Sequence, residues 1–238
     1  MRLIFIRRSK VKLVIMLSIT MVVLHLLAIN YVIGNDIENV DMSILAGHCI
    51  AIDPGHGGID SGANANKVDE KDITLSISTK LASLLEQHGA RILLTREGDV
   101  DYYTRGKGGK RNDLLERVKK INNSEAELFL SIHCNAYRGA DLSGAQVFYN
   151  PKLEVNKTLA LELQQVLKGF PQGNKRQAKE DLHILLLKQI NIPGVLIETG
   201  YLTNKQEASL LADDSYQQKM VENIAKALAY HFSKNAAR

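Results

Sequence analysis

The sequence predicts an α/β domain built on a largely parallel sheet. Short apolar runs of strand length alternate with amphipathic runs of helix length, and Gly and Pro mark the joints. A further observation fits the same class: residues able to hold metal or move protons stand at or just past the carboxyl ends of strand-like runs, where open α/β sheets bind ligands. Taken in order, Cys49–Asp53 is an apolar run ended by Pro54-Gly55 and reads as a buried strand. Glu70–His88 carries Ile73, Ile77, Leu81, Leu84 and Leu85 as a helical stripe, and Gly89 stops it. Arg91–Thr95 is the next strand, followed by a charged, Gly-rich loop at Gly98–Gly109. Arg111–Asn122 reads as a helix with an exposed basic face, and Leu128–His133 and Ala145–Tyr149 as strands. Val155–Leu167 is helical, Ile184–Leu187 a short strand, and Val195–Thr199 a strand introduced by Pro193. Helices at Lys205–Leu211 and Tyr216–Phe232 complete the chain.

The 238 residues divide unevenly. Arg2, Arg7, Arg8, Lys10 and Lys12 precede an apolar run from Leu13 to Ile33, the basic-then-apolar layout of a signal peptide or signal anchor over residues 1–33. The run is long enough to span a bilayer with its basic end inside, so membrane attachment is expected if it is not cleaved. Residues 34–47 read as a linker, 48–233 as one catalytic domain and 234–238 as a tail. The whole chain is formally +4, but residues 34–238 hold 25 basic and 26 acidic residues, so the basic excess belongs to the leader. A near-neutral body lacks the basic face that nucleic-acid binding needs, and no nucleic-acid partner is expected. Cys49 and Cys134 sit in apolar, strand-like contexts and read as small buried residues rather than a disulfide.

Four segments carry the chemistry. Asp53-Pro54-Gly55-His56-Gly57-Gly58 places an imidazole among glycines, which permit close backbone approach and room for substrate. Ser131-Ile132-His133 ends an apolar strand, where a His costs burial unless partnered. At the helix start, Asp69 or Glu70 could supply a carboxylate; Glu70 has the longer arm and lies inside the first turn, while Asp69 suits a helix cap. Glu198 closes the Val195-Leu196-Ile197 run, where burial should raise its pKa toward a range useful for proton transfer. Singly, each has a plain alternative: a solvated turn His, a satisfied core His, an N-cap, a pair with Lys188. Together, His56, Glu70 and His133 form a two-His, one-carboxylate set for zinc with an open position, and Glu198 is the acid-base partner. Arg105–Lys110 has a phosphate-loop composition but lacks the Ser/Thr after Lys.

At these residues the chain resembles the zinc-dependent N-acetylmuramoyl-L-alanine amidases, the type 3 amidase family of cell-wall hydrolases. The likeness runs from His48 to Phe232 through Ile52–Gly58, Glu70–Ile73, Arg117–Asn122, Ser131–His133 and Leu196–Asn204. It resembles most the sporulation and germination branch acting on spore cortex. The resemblance implies a mixed six-stranded sheet flanked by helices, with His56, Glu70 and His133 as zinc ligands and Glu198 as catalytic carboxylate. It implies hydrolysis of the amide between the muramic acid lactyl group and L-alanine in peptidoglycan, ahead of δ-lactam formation by a separate deacetylase. It implies export to the cell-wall side, in the space between forespore membranes. Cys134 departs from the family's usual Ala. Division-associated relatives carry a plugging helix in a long insertion, whereas only some 33 residues (Asn150–Leu182) follow the Ala145–Tyr149 strand here. Control through expression, localisation or an activating or metal-loading protein partner is therefore expected. The alternatives are a non-catalytic wall-binding protein and a zinc peptidase cutting within the stem peptide.

Overall fold

The computed structural model describes residues 8–102, 109–137 and 142–236. Arg2, Arg7, residues 103–108 of the Gly-rich loop and the last two tail residues lie outside these. The chain divides between residues 39 and 40 into two compact units. The first is the helix α1 (Arg8–Glu38), with exposed apolar side chains such as Leu13, Ile15 and Met21. It continues five residues into the stretch expected to be linker. Among the residues whose side chains are described, no helix is long and apolar enough to cross a membrane, so the expected leader rests on the sequence.

The second unit opens with a single 3₁₀ turn at Met42–Leu45, its first N–H groups capped by Asp41. There follow β1 (Cys49–Pro54), β2 (Asn64–Ala65), β3 (Val68–Asp69), α2 (Glu70–Gln87), β4 (Arg91–Leu94), α3 (Gly109–Asn122), β5 (Leu128–Asn135), β6 (Gln146–Tyr149), α4 (Glu154–Leu167), β7 (Lys179–Glu180), α5 (Leu185–Gln189), β8 (Gly194–Tyr201), α6 (Lys205–Leu211) and α7 (Asp214–Ala236). Six strands form one mixed sheet in the order β4-β1-β5-β8-β6-β7. β4, β1, β5 and β8 run parallel, β6 is antiparallel to β8, and β7 is parallel to β6. From β1 the chain crosses to β4 on one side, then returns to β5 on the other. The β1–β5 junction is thus a topological switch point, where α/β sheets open a ligand crevice.

The sheet is covered on both faces. Cys49, Ala51, Phe129 and Leu196 pack against Val118 and Ile121 of α3 and Leu186 and Leu187 of α5. The alternate residues of β1 and β5 face the other layer, where α2 packs on both strands, α4 on β6 and β8, and α7 on α2 and α4. In α2, Ile73, Ile77, Leu81 and Leu85 are buried at four-residue spacing, each contributing about 1.5–3 kcal/mol. Both cysteines are free and buried.

Two expectations are corrected. Ile184–Leu187 is not a strand: Leu185–Gln189 is a short helix. The Asp181 carboxylate accepts from the N–H groups of His183 and Ile184 and turns the chain, so that Leu186, Leu187 and Ile190 seat on the core. The sheet edge is instead the exposed pair Lys179–Glu180, which carries no apolar signature. The face of α3 is also not uniformly basic and exposed, because Arg117 is fully buried.

Candidate metal centre and proton shuttle

The turn after β1 carries His56 in the left-handed region (φ 62°), a conformation that costs a non-glycine residue energy unless its surroundings fix it. Two buried guanidinium groups supply that fixation. Arg96 donates to the Pro54 and Gly55 carbonyls (3.0 and 2.9 Å), and Arg117 to those of Pro54 and His56 (2.7 and 2.5 Å). Asp53 balances Arg117 at 3.0 Å and also accepts from the Thr95 and Ser131 hydroxyls. Burial alone would raise the Asp53 pKa, but the Arg117 charge and the two hydroxyls outweigh it and hold the carboxyl below its ordinary value. Neighbouring glycines are required by space. A Cβ on Gly55 would stand 2.4 Å from the His133 ring, and one on Gly62 2.6 Å from the Glu70 carboxylate.

This frame brings His56, Glu70 and His133 together, their donor atoms all within 4.8 Å of one another. His56 Nε2 lies 3.1 Å and His133 Nδ1 3.0 Å from the same oxygen, Glu70 Oε1. The rings are 4.9 Å apart at 80°, so both nitrogens aim at one point rather than stacking. Tetrahedral zinc with bonds of about 2.0–2.2 Å separates its donors by roughly 3.3 Å. The two nitrogen–oxygen separations of 3.0–3.1 Å are close to that value, and all three donor atoms lie within 4.8 Å, so the residues suit such a cation in kind and in placement.

Each donor has support from behind. Glu70 Oε1 accepts the Cys134 N–H and Oε2 the Ala63 N–H, both at 2.9 Å. Burial would raise Glu70, yet the two imidazoles hold its pKa well below the carboxylate range. His56 Nδ1 meets Asp60 Oδ2 at 3.0 Å, and Lys110 meets the other Asp60 oxygen at 2.6 Å. The His56 pKa is pushed down by burial but raised on balance by Glu70 and Asp60.

Glu198 pairs across the sheet with His133 on β5 and with Gln146 on β6. Its Oε2 is buried without a hydrogen-bond partner. Burial, and secondarily Glu70, raise its pKa to about 7 against the opposing pull of His133. No Lys188 pair forms; that side chain is exposed on α5. Asp69 does not reach the cluster: it accepts from the Asn64 amide across the β2–β3 hairpin and makes no side-chain cap. The sequence reading missed Asp60, Arg96 and the buried role of Arg117. Their signals were a carboxylate four residues after His56, an Arg closing a strand, and an Asp113–Arg117 pair at helical spacing.

The sequence profile described as N-acetylmuramoyl-L-alanine amidase matches residues 50–230. The germination-specific N-acetylmuramoyl-L-alanine amidase of Bacillus subtilis is 42% identical over 193 residues, covering 79% of this chain and 81% of that protein. Among solved structures, the CwlD amidase of Clostridioides difficile, in complex with the GerS lipoprotein, is 39% identical with a TM-score of 0.73, covering 79% of this chain and 100% of that one. The amidase AmiC2 of Nostoc punctiforme is 31% identical with a TM-score of 0.67, covering 81% and 99%. With its sheet order, its two-His, one-Glu cluster and these matches in hand, the chain belongs to the N-acetylmuramoyl-L-alanine amidase family.

Proposed function

We propose that this chain is a zinc-dependent hydrolase of the amide joining the N-acetylmuramic acid lactyl group to L-alanine, removing stem peptides from spore-cortex peptidoglycan. One observation carries the reading: His56, Glu70 and His133 converge beside a buried, unpartnered oxygen of Glu198. His56, Glu70 and His133 would hold the cation, with Asp60 orienting His56 from behind. A zinc ion held there supplies Lewis acidity toward the scissile carbonyl and makes water a nucleophile near neutral pH. Glu198 takes the proton of the attacking water and returns it to the alanine nitrogen as the C–N bond breaks. A carboxyl whose pKa lies near 7 can serve in both directions.

The B. subtilis relative's name places it in germination, and this supports a cortex substrate whose peptide-free muramic acid product passes to a deacetylase that forms the δ-lactam. The solved structure of the C. difficile neighbour is in complex with a lipoprotein, which supports an activating or metal-loading partner here. We assign residues 1–33 to export toward the cell-wall side, as signal peptide or anchor, and the catalytic domain to 48–233. The test is mass spectrometry of purified peptidoglycan digested with the full chain, with and without chelator and partner. Release of intact stem peptides bearing a free L-alanine amino terminus, lost on chelation, is expected; fragments cut inside the stem would overturn the reading.

A further inference from the structure

On the α3–α5 side of the sheet a cavity of about 320 Å³ opens directly onto the two imidazoles. Its walls are of two kinds. One is polar, His56 and His133 with the charged Asp60, Lys110, Asp113 and Arg117, and the other is apolar, Leu114 of α3 with Ile184 and Leu185 at the start of α5. These three aliphatic side chains are half-buried: their inner sides pack against the core cluster and their outer sides meet the cavity. Leu196, on the floor, lies two residues before Glu198 on the same strand and therefore on the same face. The apolar wall thus shares a cavity with the two imidazoles, on the face of the sheet that carries Glu198.

The volume lies at the low end for small-molecule pockets, enough for a short fragment and too little for a disaccharide with its peptide. Around the scissile bond the substrate offers one apolar feature, repeated on either side: a methyl on the lactyl carbon and a methyl on the alanine Cα. Beyond them lie polar sugar and charged peptide. We infer that the Leu114–Ile184–Leu185 wall is a specificity subsite for a methyl-bearing carbon flanking the scissile amide. This rests on the amidase reading above and adds to it a determinant outside the metal donors and Glu198.

The test uses the full chain and three synthetic muramoyl peptides: the parent, one with glycine in place of L-alanine, and one with a glycolyl in place of the lactyl group. A methyl seated in an apolar pocket is worth about 10-fold or more in kcat/KM. The wild-type chain is expected to lose roughly that factor on one analogue, which identifies the methyl concerned. In Leu185→Ala and Leu114→Ala the same omission is expected to cost about twofold or less, while Leu185→Met restores discrimination. Metal content and thermal melting of each variant separate pocket effects from misfolding; Ile184→Val offers a milder change if either alanine variant is unfolded. Equal cleavage of all three substrates by the wild type, or a methyl penalty unchanged in the wall variants, overturns the subsite alone. Failure to cleave the parent with zinc and the partner of the preceding test supplied overturns the amidase reading and the subsite with it.

Discussion

Replacing Asp60 by Ala removes a group that stands behind a proposed metal ligand without being one itself. Its carboxylate stands 3.0 Å from His56 Nδ1, and with Nδ1–H donating there Nε2, which faces Glu70, is the nitrogen left to bind a cation. Partners of this kind typically contribute 10- to 100-fold to metal affinity, about 1.4–2.7 kcal/mol. Asp60 keeps 21% of its side-chain surface, so water can replace part of the lost bond, and the lower half of that range is expected here, roughly 10- to 30-fold. Its own pKa works in the same sense. Burial would raise it, but Lys110 and His56 bring it down to about 2, so Asp60 is an anion under any working condition. Lys110 is 70% exposed, and Lys110→Ala should weaken metal binding by no more than about threefold. The assay is competition against a chromophoric chelator, with imidazole nitrogen NMR to read the His56 tautomer. An Asp60→Ala protein that binds zinc within about twofold of wild type, with the same tautomer, would refute the positioning role.

Glu198→Gln is expected to keep its zinc and fold and to lose activity by about 10²-fold or more, measured as peptide release against metal content. Gly55→Ala places a methyl 2.4 Å from the His133 ring, so metal binding should fail in a protein whose circular dichroism is unchanged. Asp53 titrates below its ordinary 3.8 in the folded chain, so its contribution to stability is present above that value and lost as pH falls through the depressed one. Asp53→Asn should flatten that acid limb in denaturant melts, whereas Arg117→Met, which strands a buried carboxylate, should cost about 3–5 kcal/mol. Chelation should abolish activity but leave the fold, because Glu70 stays bound to the Ala63 and Cys134 N–H groups; collapse of the far-ultraviolet spectrum in EDTA would contradict this.

The strands that position the donors were legible because burial on both faces makes them continuous apolar runs, as at Cys49–Pro54 and Leu128–Asn135. His56, His133 and Glu198 were legible as candidates because polar groups at or just past the ends of such runs have few structural excuses, and Glu70 because it opens the helix that follows the first strand. What escaped was set by partners distant in sequence. Arg117 lies on a helix whose composition reads as solvated, and its burial is accounted for by Asp113 one turn back together with the Asp53 carboxylate and the Pro54 and His56 carbonyls, these last three more than sixty residues earlier. Asp60 lies in a loop where a carboxylate is unremarkable until the His56 turn folds over it. The run Ile184–Leu187 is apolar at every position, so its period cannot separate strand from helix. The Asp181 turn decides the matter.

Glu70 and Glu198 are the same residue type on the same rim of the sheet, and the structure gives them opposite surroundings. Glu70 accepts from two backbone N–H groups and faces two imidazoles, so its anion is stabilised and its proton is held off. A carboxylate so satisfied is a poor base, which suits a group that must present a fixed charge. Glu198 stands one strand away with a buried oxygen that nothing engages, and burial lifts its pKa to about 7. Supplying Glu198 with the hydrogen bonds Glu70 enjoys would stabilise its anion and blunt proton transfer. Stripping them from Glu70 would let it protonate and lose its hold on a cation. The separation of the two pKa values would therefore divide ligand from shuttle in the proposed reaction, and it is set by the imidazoles that engage Glu70 and by the burial that leaves Glu198 with an unengaged oxygen.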